Sequence, residues 1–145
     1  MSEPATTRMR RGACLCRAVL FELKLRNDDV HICHCTMCQR WSGGVFLGLE
    51  AVTQPNFTSE TALGVYQSSD WAERLFCTKC GTSLFWRSQD GAHWVVSAQA
   101  IEDGAHCRLE SQIFIDEKPN YYNFAEPTQT LTGAEFMAMR SPNAD

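Results

Sequence analysis

Cys77-Thr78-Lys79-Cys80-Gly81-Thr82-Ser83-Leu84-Phe85-Trp86 is the stretch that decides the fold class. Two cysteines spaced by two residues and followed by glycine read as a zinc-knuckle turn. In such a turn backbone N–H groups point at the sulfurs, and glycine takes a bend that a Cβ would resist. A redox dithiol of the thioredoxin type would sit where a strand meets a helix. Here the cysteine pair runs instead into Ser83-Leu84-Phe85-Trp86, which reads as a strand. The turn therefore points to a β structure tied by metal.

Working outward, the periodicity is mostly two. Val19, Phe21, Leu23 and Leu25 alternate with Leu20, Glu22, Lys24 and Arg26, as in a half-buried strand. Further short strands are expected at 30–33, 45–50, 63–67, 73–77, 83–87, 94–98 and 109–115. Ser42-Gly43-Gly44, Ser68-Ser69-Asp70, Gln89-Asp90-Gly91 and Glu102-Asp103-Gly104 supply turns between them. Helices are few and short. Residues 36–41 make about a turn and a half, stopped by Gly43-Gly44. Residues 132–140 open with Thr132-Gly133-Ala134-Glu135, a capping box. The pattern predicts a mainly β chain of short antiparallel strands, as one domain over residues 9–140 between flexible tails at 1–8 and 141–145.

Composition narrows the function classes. The chain has 145 residues and a net charge of −4, too acidic for general phosphate binding, so no nucleic-acid partner is expected. Its longest apolar run covers only residues 18–21, whereas a membrane helix needs about 18 apolar residues. Residues 1–12 carry no apolar core of a secretory signal. Eight cysteines in 145 residues, about 5.5%, fall below the ~8–10% of disulfide scaffolds. A cytoplasmic location, with reduced thiols that hold metal, is the expectation.

The cysteines form groups. Cys14 and Cys16, at positions i and i+2 of an extended strand, would present both sulfurs on one face. Added to Cys77 and Cys80, they complete the four ligands of a closed structural zinc. Cys33 and Cys35 likewise point one way, with His34 pointing the other, and Cys38 comes round across a helical start. Three protein ligands with an open fourth position is the catalytic zinc pattern. A bland alternative closes that site with His34, Cys107 or a partner's residue. An open three-thiolate zinc is electron-rich and suits a soft ligand such as a small substrate thiol. Arg17, Arg40, Arg74, Lys79 and Arg87 are the basic groups nearest in sequence for any carboxylate on that thiol, and each is also ordinary surface charge. His31, His34 and His93 read as structural or surface histidines before proton donors. Trp41, one helical turn past Cys38, is placed to wall the open position, while the other tryptophans read as core.

Gly12-x-Cys14-x-Cys16, Cys33-His34-Cys35-x-x-Cys38-x-x-x-x-Gly43 and Cys77-x-x-Cys80-Gly81 with Leu84 resemble the glutathione-dependent formaldehyde-activating enzyme family, which includes centromere protein V. The resemblance covers roughly residues 9 to 125 and fills all seven cysteine positions. It implies an Mss4-like β-tent fold and two zinc ions per chain. One ion is structural, on Cys14, Cys16, Cys77 and Cys80, and one is labile and catalytic, on Cys33, Cys35 and Cys38. It also implies a carbon–sulfur lyase activity, run in the direction that joins glutathione and formaldehyde into S-hydroxymethylglutathione. Where many members carry tryptophan, this chain has Lys118-Pro119-Asn120-Tyr121-Tyr122, so Tyr121 or Tyr122 takes that place. Two other classes stand beside this one: a non-enzymatic zinc-binding interaction module, and a methionine sulfoxide reductase-like enzyme using Cys107. The oligomeric state is left open, a homodimer included.

Overall fold

The structure, a computed structural model, describes residues 9–140. The tails expected at 1–8 and 141–145 lie outside them. In chain order the strands are β1 (Met9–Ala13), β2 (Leu20–Lys24), β3 (Asp29–Cys33), β4 (Phe46–Glu50), β5 (Asn56–Ser59) and β6 (Leu63–Gln67). They continue as β7 (Ala72–Cys77), β8 (Ser83–Ser88), β9 (Trp94–Ser97), β10 (Arg108–Ile113) and β11 (Gln129–Leu131). Two short helices, α1 (Thr36–Ser42) and α2 (Gly133–Arg140), accompany them. The fold is mainly β, as the alternating sequence predicts.

The described chain divides into two compact units. The first takes residues 9–28 and 48–107. In it β1, β2 and β5 form an antiparallel sheet, with Gly12 opposite Phe21. That pairing needs glycine, because a Cβ at residue 12 would lie 2.4 Å from the Phe21 ring. Strands β6 to β9 form a meander, and residues 48–50 of β4 pair with β9. Phe21 and Phe57 of the first sheet meet Phe85 and Trp94 of the second. Their rings lie edge-on at 4.8 Å (Phe21–Phe85) and 5.6 Å (Phe57–Phe85 and Phe85–Trp94). Val19, Phe21, Leu23 and Leu25 are all buried, as their alternation predicts. Full burial of one such side chain stabilises the fold by about 1.5–3 kcal/mol.

Strand β1 falls where the sequence reads as a polar end. Arg10, in its middle, is buried because its guanidinium donates to Asp28 Oδ1 at 2.8 Å and to the Asp103 carbonyl at 3.1 Å. The pairing of its two terminal nitrogens makes this burial tolerable, although Nε has no hydrogen-bond partner among the described residues.

The second unit takes residues 29–47 and 108–140. Its strand β10 departs from the antiparallel expectation by pairing in parallel with both β3 and β11. Each partner is reached through a long stretch of chain, residues 34–107 and 114–128, which a parallel pair requires and a hairpin would not. Strand β10 is followed by Phe114, a non-glycine residue with φ of 56°. This left-handed step costs on the order of 1 kcal/mol, and the Phe114 ring is held between Gly133, where a Cβ would lie 2.7 Å away, and Phe136. The capping box at α2 is made as predicted. Glu135 Oε1 accepts from Thr132 N at 2.8 Å, and Thr132 Oγ1 accepts from Glu135 N at 3.1 Å.

Candidate functional site

Cysteine sulfurs gather in two places, one in each unit. Cys14, Cys16, Cys77 and Cys80 bring four sulfurs within 4.8 Å of one another. The Cys77–Cys80 turn is closed by Gly81, whose φ is 82° and whose N–H donates to the Cys77 carbonyl at 2.8 Å. Cys77 Sγ accepts from the amides of Lys79 (3.3 Å) and Cys80 (3.4 Å), as a knuckle demands. The other pair is built differently from the strand expected. Strand β1 ends at Ala13, and Cys14 to Arg17 form a tight turn, with Arg17 N donating to the Cys14 carbonyl at 3.1 Å. Arg17 takes a φ of 66°. The turn brings both sulfurs to the cluster, Cys14 buried with Val19 N donating to its Sγ at 3.3 Å and Cys16 exposed, and leaves Leu15 83% exposed.

The sulfur spacing fits a tetrahedral ion. Metal–sulfur bonds of about 2.3 Å set sulfurs about 3.8 Å apart along a tetrahedron edge. Cys16 lies 3.8 Å from both Cys14 and Cys77. Two of the four thiols, Cys77 and Cys80, are shifted towards the charged form. Hydrogen bonds from Thr82, through its hydroxyl and its backbone, pull Cys80 down to about 5. Burial opposes ionisation of Cys77, yet the Cys80 and Lys79 amides carry it net downward. At Cys16 the Ala18 amide is outweighed by desolvation and the neighbouring thiols, which leaves it at about 11.

The second cluster is Cys33, Cys35 and Cys38, three sulfurs within 4.8 Å. Cys33 ends β3. Cys35 is the N-cap of α1, its sulfur accepting from Cys38 N at 3.3 Å, and Cys38 is buried on the first turn. The helix stops at Gly43, left-handed at φ 72°, as its sequence predicts. Among the described residues no fourth His, Cys, Asp or Glu joins these sulfurs. Hydrogen bonds to Cys35 and Cys38, followed by burial, push the Cys33 thiol far up. Three thiols this close ionise together only beside a cation. Both clusters could thus hold a metal ion, and their donors are the soft thiolates zinc accepts.

His34 is fully buried and turned away from the sulfurs, as the alternation predicts. Gln112 Nε2 donates to Thr128 Oγ1, leaving Gln112 Oε1 to accept from His34 Nε2 at 2.8 Å. His34 Nδ1 then faces the Tyr122 hydroxyl at 3.4 Å. Burial lowers the His34 pKa, with the charge of Lys118 acting in the same direction, so the ring is neutral. Of the two tyrosines, Tyr122 therefore packs behind the cluster, while Tyr121 is exposed. Cys107 joins neither cluster. Its thiol sits 3.9 Å from Asp28 Oδ1, and burial raises its pKa.

The arginines expected near the ligands are mostly engaged elsewhere. Arg87 pairs with Glu73 and lies 5.0 Å from the Trp94 ring centre, and Arg74 is buried in β7. Trp41 packs on Phe46 at 5.2 Å. The residues that hold the second cluster went unread in the sequence. Glu117 Oε1 accepts from Thr36 N at 2.8 Å, and Gln39 Nε2 donates to the carbonyls of His34 (2.6 Å) and Glu117 (2.9 Å). Asp116 beside it accepts from Gly133 N at 2.8 Å, at the start of α2.

The family model described as glutathione-dependent formaldehyde-activating enzyme matches residues 9–117, a span that contains all seven clustered cysteines. The chain belongs to this family. An uncharacterised lyase of Schizosaccharomyces pombe is 31% identical over 127 residues, covering 87% of this chain and 93% of that protein. A crystal structure of a Rhodobacter sphaeroides protein superposes with a TM-score of 0.56 at 25% identity, over 64% of this chain and 88% of that one. In this chain the family's matched span carries both cysteine clusters on a mainly β architecture with few helices. Among the described residues no helix is long and apolar enough to cross a membrane.

Proposed function

We propose that the chain is a zinc-dependent carbon–sulfur lyase. It binds a small thiol of the glutathione type at Cys33, Cys35 and Cys38 and forms or breaks the adduct of that thiol with an aldehyde such as formaldehyde. The observation that carries this reading is the count of ligands: three sulfurs in one cluster against four in the other. Family membership and the lyase named among its relatives support the same chemistry. A bound zinc at the three-sulfur cluster would supply a place where an incoming thiol ionises at neutral pH.

The chain's own residues fix that place. The Cys35 cap and the first turn of α1 hold Cys35 and Cys38 together, while β3 delivers Cys33. Glu117 and Gln39 pin the segment from outside. Neutral His34, locked by Gln112, fills the space behind it and adds no charge. Thiols add to aldehydes unaided, so the gain comes from a raised thiolate fraction and from proximity. The four-sulfur cluster is read as a structural zinc, and reduced thiol ligands suit a cytoplasmic protein.

NMR exchange spectroscopy of glutathione with formaldehyde, at fixed pH, tests the reading. Micromolar zinc-loaded protein should speed adduct exchange, and Cys35→Ser should not. Equal rates with and without wild-type protein would leave the family chemistry without support in this chain.

A further inference from the structure

We propose that β6 pairs with itself: two copies of the chain join antiparallel along Leu63–Gln67, Val65 opposite Val65, into a reversible dimer. Strand β6 ends the meander, and among the described residues no strand lies on its far side. The bonds flanking its ladder fix which groups face that side. Thr78 N donates to the Ala62 carbonyl at 2.7 Å, and Ser68 N to the Ala72 carbonyl at 3.2 Å. In an antiparallel pair the bonded residues alternate, so Gly64 and Tyr66 also turn their backbone groups to β7. Leu63, Val65 and Gln67 turn theirs outward. The Leu63 N–H is taken by the Glu60 carbonyl at 3.0 Å, while those of Val65 and Gln67 find no backbone partner among the described residues. The other sheet edges carry features that discourage pairing. Strand β1 holds Arg10 and Arg11, β5 has four residues and β11 three. Strand β6 has five residues in unbroken register, with no charge, proline or bulge.

The occupant this edge fits is a second β6. A two-fold axis at Val65 sets Leu63 against Gln67 and Gly64 against Tyr66. Each copy then gives its Val65 N–H to the other's Val65 carbonyl and its Gln67 N–H to the other's Leu63 carbonyl. The outward donor left over, Leu63 N–H, is the one already bonded within the chain. Tyr66, 64% exposed, would cross the bare Gly64 of the other copy and meet the Phe76 ring beside it, which lies 2.7 Å from where a Cβ would stand. On the opposite face Val65, 50% exposed, meets Val65. An aromatic side chain buries about 150–250 Å², so Tyr66, Val65 and the edge backbone amount to roughly 400 Å² per copy, about half of what a stable complex buries. The exposed Glu60 and Asp70 would also face each other across the two ends of the pairing. Association is therefore weak, and salt tightens it by screening those carboxylates.

Sedimentation velocity on zinc-loaded full-length protein tests this. Wild type should show a monomer–dimer equilibrium with a midpoint of about 100 µM, moving to lower concentration as salt is added. A monomer up to about tenfold above that midpoint overturns the proposal, including the case in which an unrelated extended peptide binds the edge. Val65→Pro removes only an outward N–H, which an edge strand accommodates. Val65→Lys sets two like charges at the axis. Each should weaken association by about tenfold or more with zinc content unchanged, and Val65→Thr should preserve it. A dimer that survives Val65→Lys overturns the assignment to this edge. Hydrogen exchange on wild type supplies a measurement free of variants. The Val65 and Gln67 amides should exchange more slowly as protein concentration rises, while the Tyr66 amide, bonded to β7, keeps its rate. Exchange at Val65 that does not depend on concentration overturns the proposal.

Discussion

The two sulfur clusters use the same element within the same 4.8 Å, yet they are built differently, one from four sulfurs and the other from three. The four-sulfur cluster joins two turns from distant parts of the chain, and its sulfurs accept amides at Cys14 and Cys77. The three-sulfur cluster is local, drawn from a six-residue stretch, and in it Cys35 likewise accepts an amide, that of Cys38. A cluster that ties residue 14 to residue 80 restrains the unfolded chain, whereas one confined to residues 33–38 restrains little. On the proposed reading, ligand spacing in the chain goes with the division of roles, the long-range cluster stabilising and the local one chemical.

The sharpest way to break this contrast is to remove one sulfur from each cluster. Cys77→Ser should unfold the protein, because binding of a structural zinc contributes on the order of 10 kcal/mol. A cooperative melt within a few degrees of wild type would remove the distinction. Cys35→Ser should behave oppositely. Serine is itself a good N-cap, so α1 should persist, the melt should remain cooperative, and thiol-dependent exchange should fall by about 100-fold or more. Metal release sharpens the contrast further: a chromogenic chelator should remove one equivalent of zinc readily and a second only with denaturant. Two equally resistant ions would point to the interaction-module class.

Smaller effects probe the supports. Gly12→Ala forces a Cβ against the Phe21 ring and the Ala100 carbonyl beside the first cluster. It should cost about 1–3 kcal/mol in urea unfolding. Glu117→Ala removes the acceptor of Thr36 N and should cost about 1 kcal/mol, speeding zinc release from the second cluster alone. As a control away from both clusters, Asp90 accepts from Ser88 and Ala92, which lowers its carboxyl below 3.8. With the folded pKa depressed, its contribution is fully present above about pH 4 and is lost as the pH falls through the folded value. Wild type and Asp90→Asn should therefore converge in stability on acidification, with zinc content equal throughout.

Much of this was legible in the sequence wherever the signal is local. The alternation at 19–25, the glycine stops at Gly43 and Gly81, the capping box and the turn of His34 away from the sulfurs each depend on neighbours within a few residues. Strand β1 was not legible, because the burial of Arg10 depends on Asp28 and Asp103. Strand β5, Asn56–Ser59, reads as a polar segment until Phe57 meets Phe85. The turn at Cys14–Arg17 was mistaken for strand because an i, i+2 spacing fits either geometry. The grip of Glu117 on Thr36 spans 81 residues, and no periodicity encodes it.

Asp116 and Glu117 stand side by side, one on the start of α2 and the other on the start of α1. A single residue inserted between Phe114 and Glu117 would throw both helix starts out of register together. The same insertion at 120–127 would disturb neither contact. Length differences among homologous chains should accordingly accumulate after Tyr122, and the short step that begins at the strained Phe114 should keep its length even where its residue types drift.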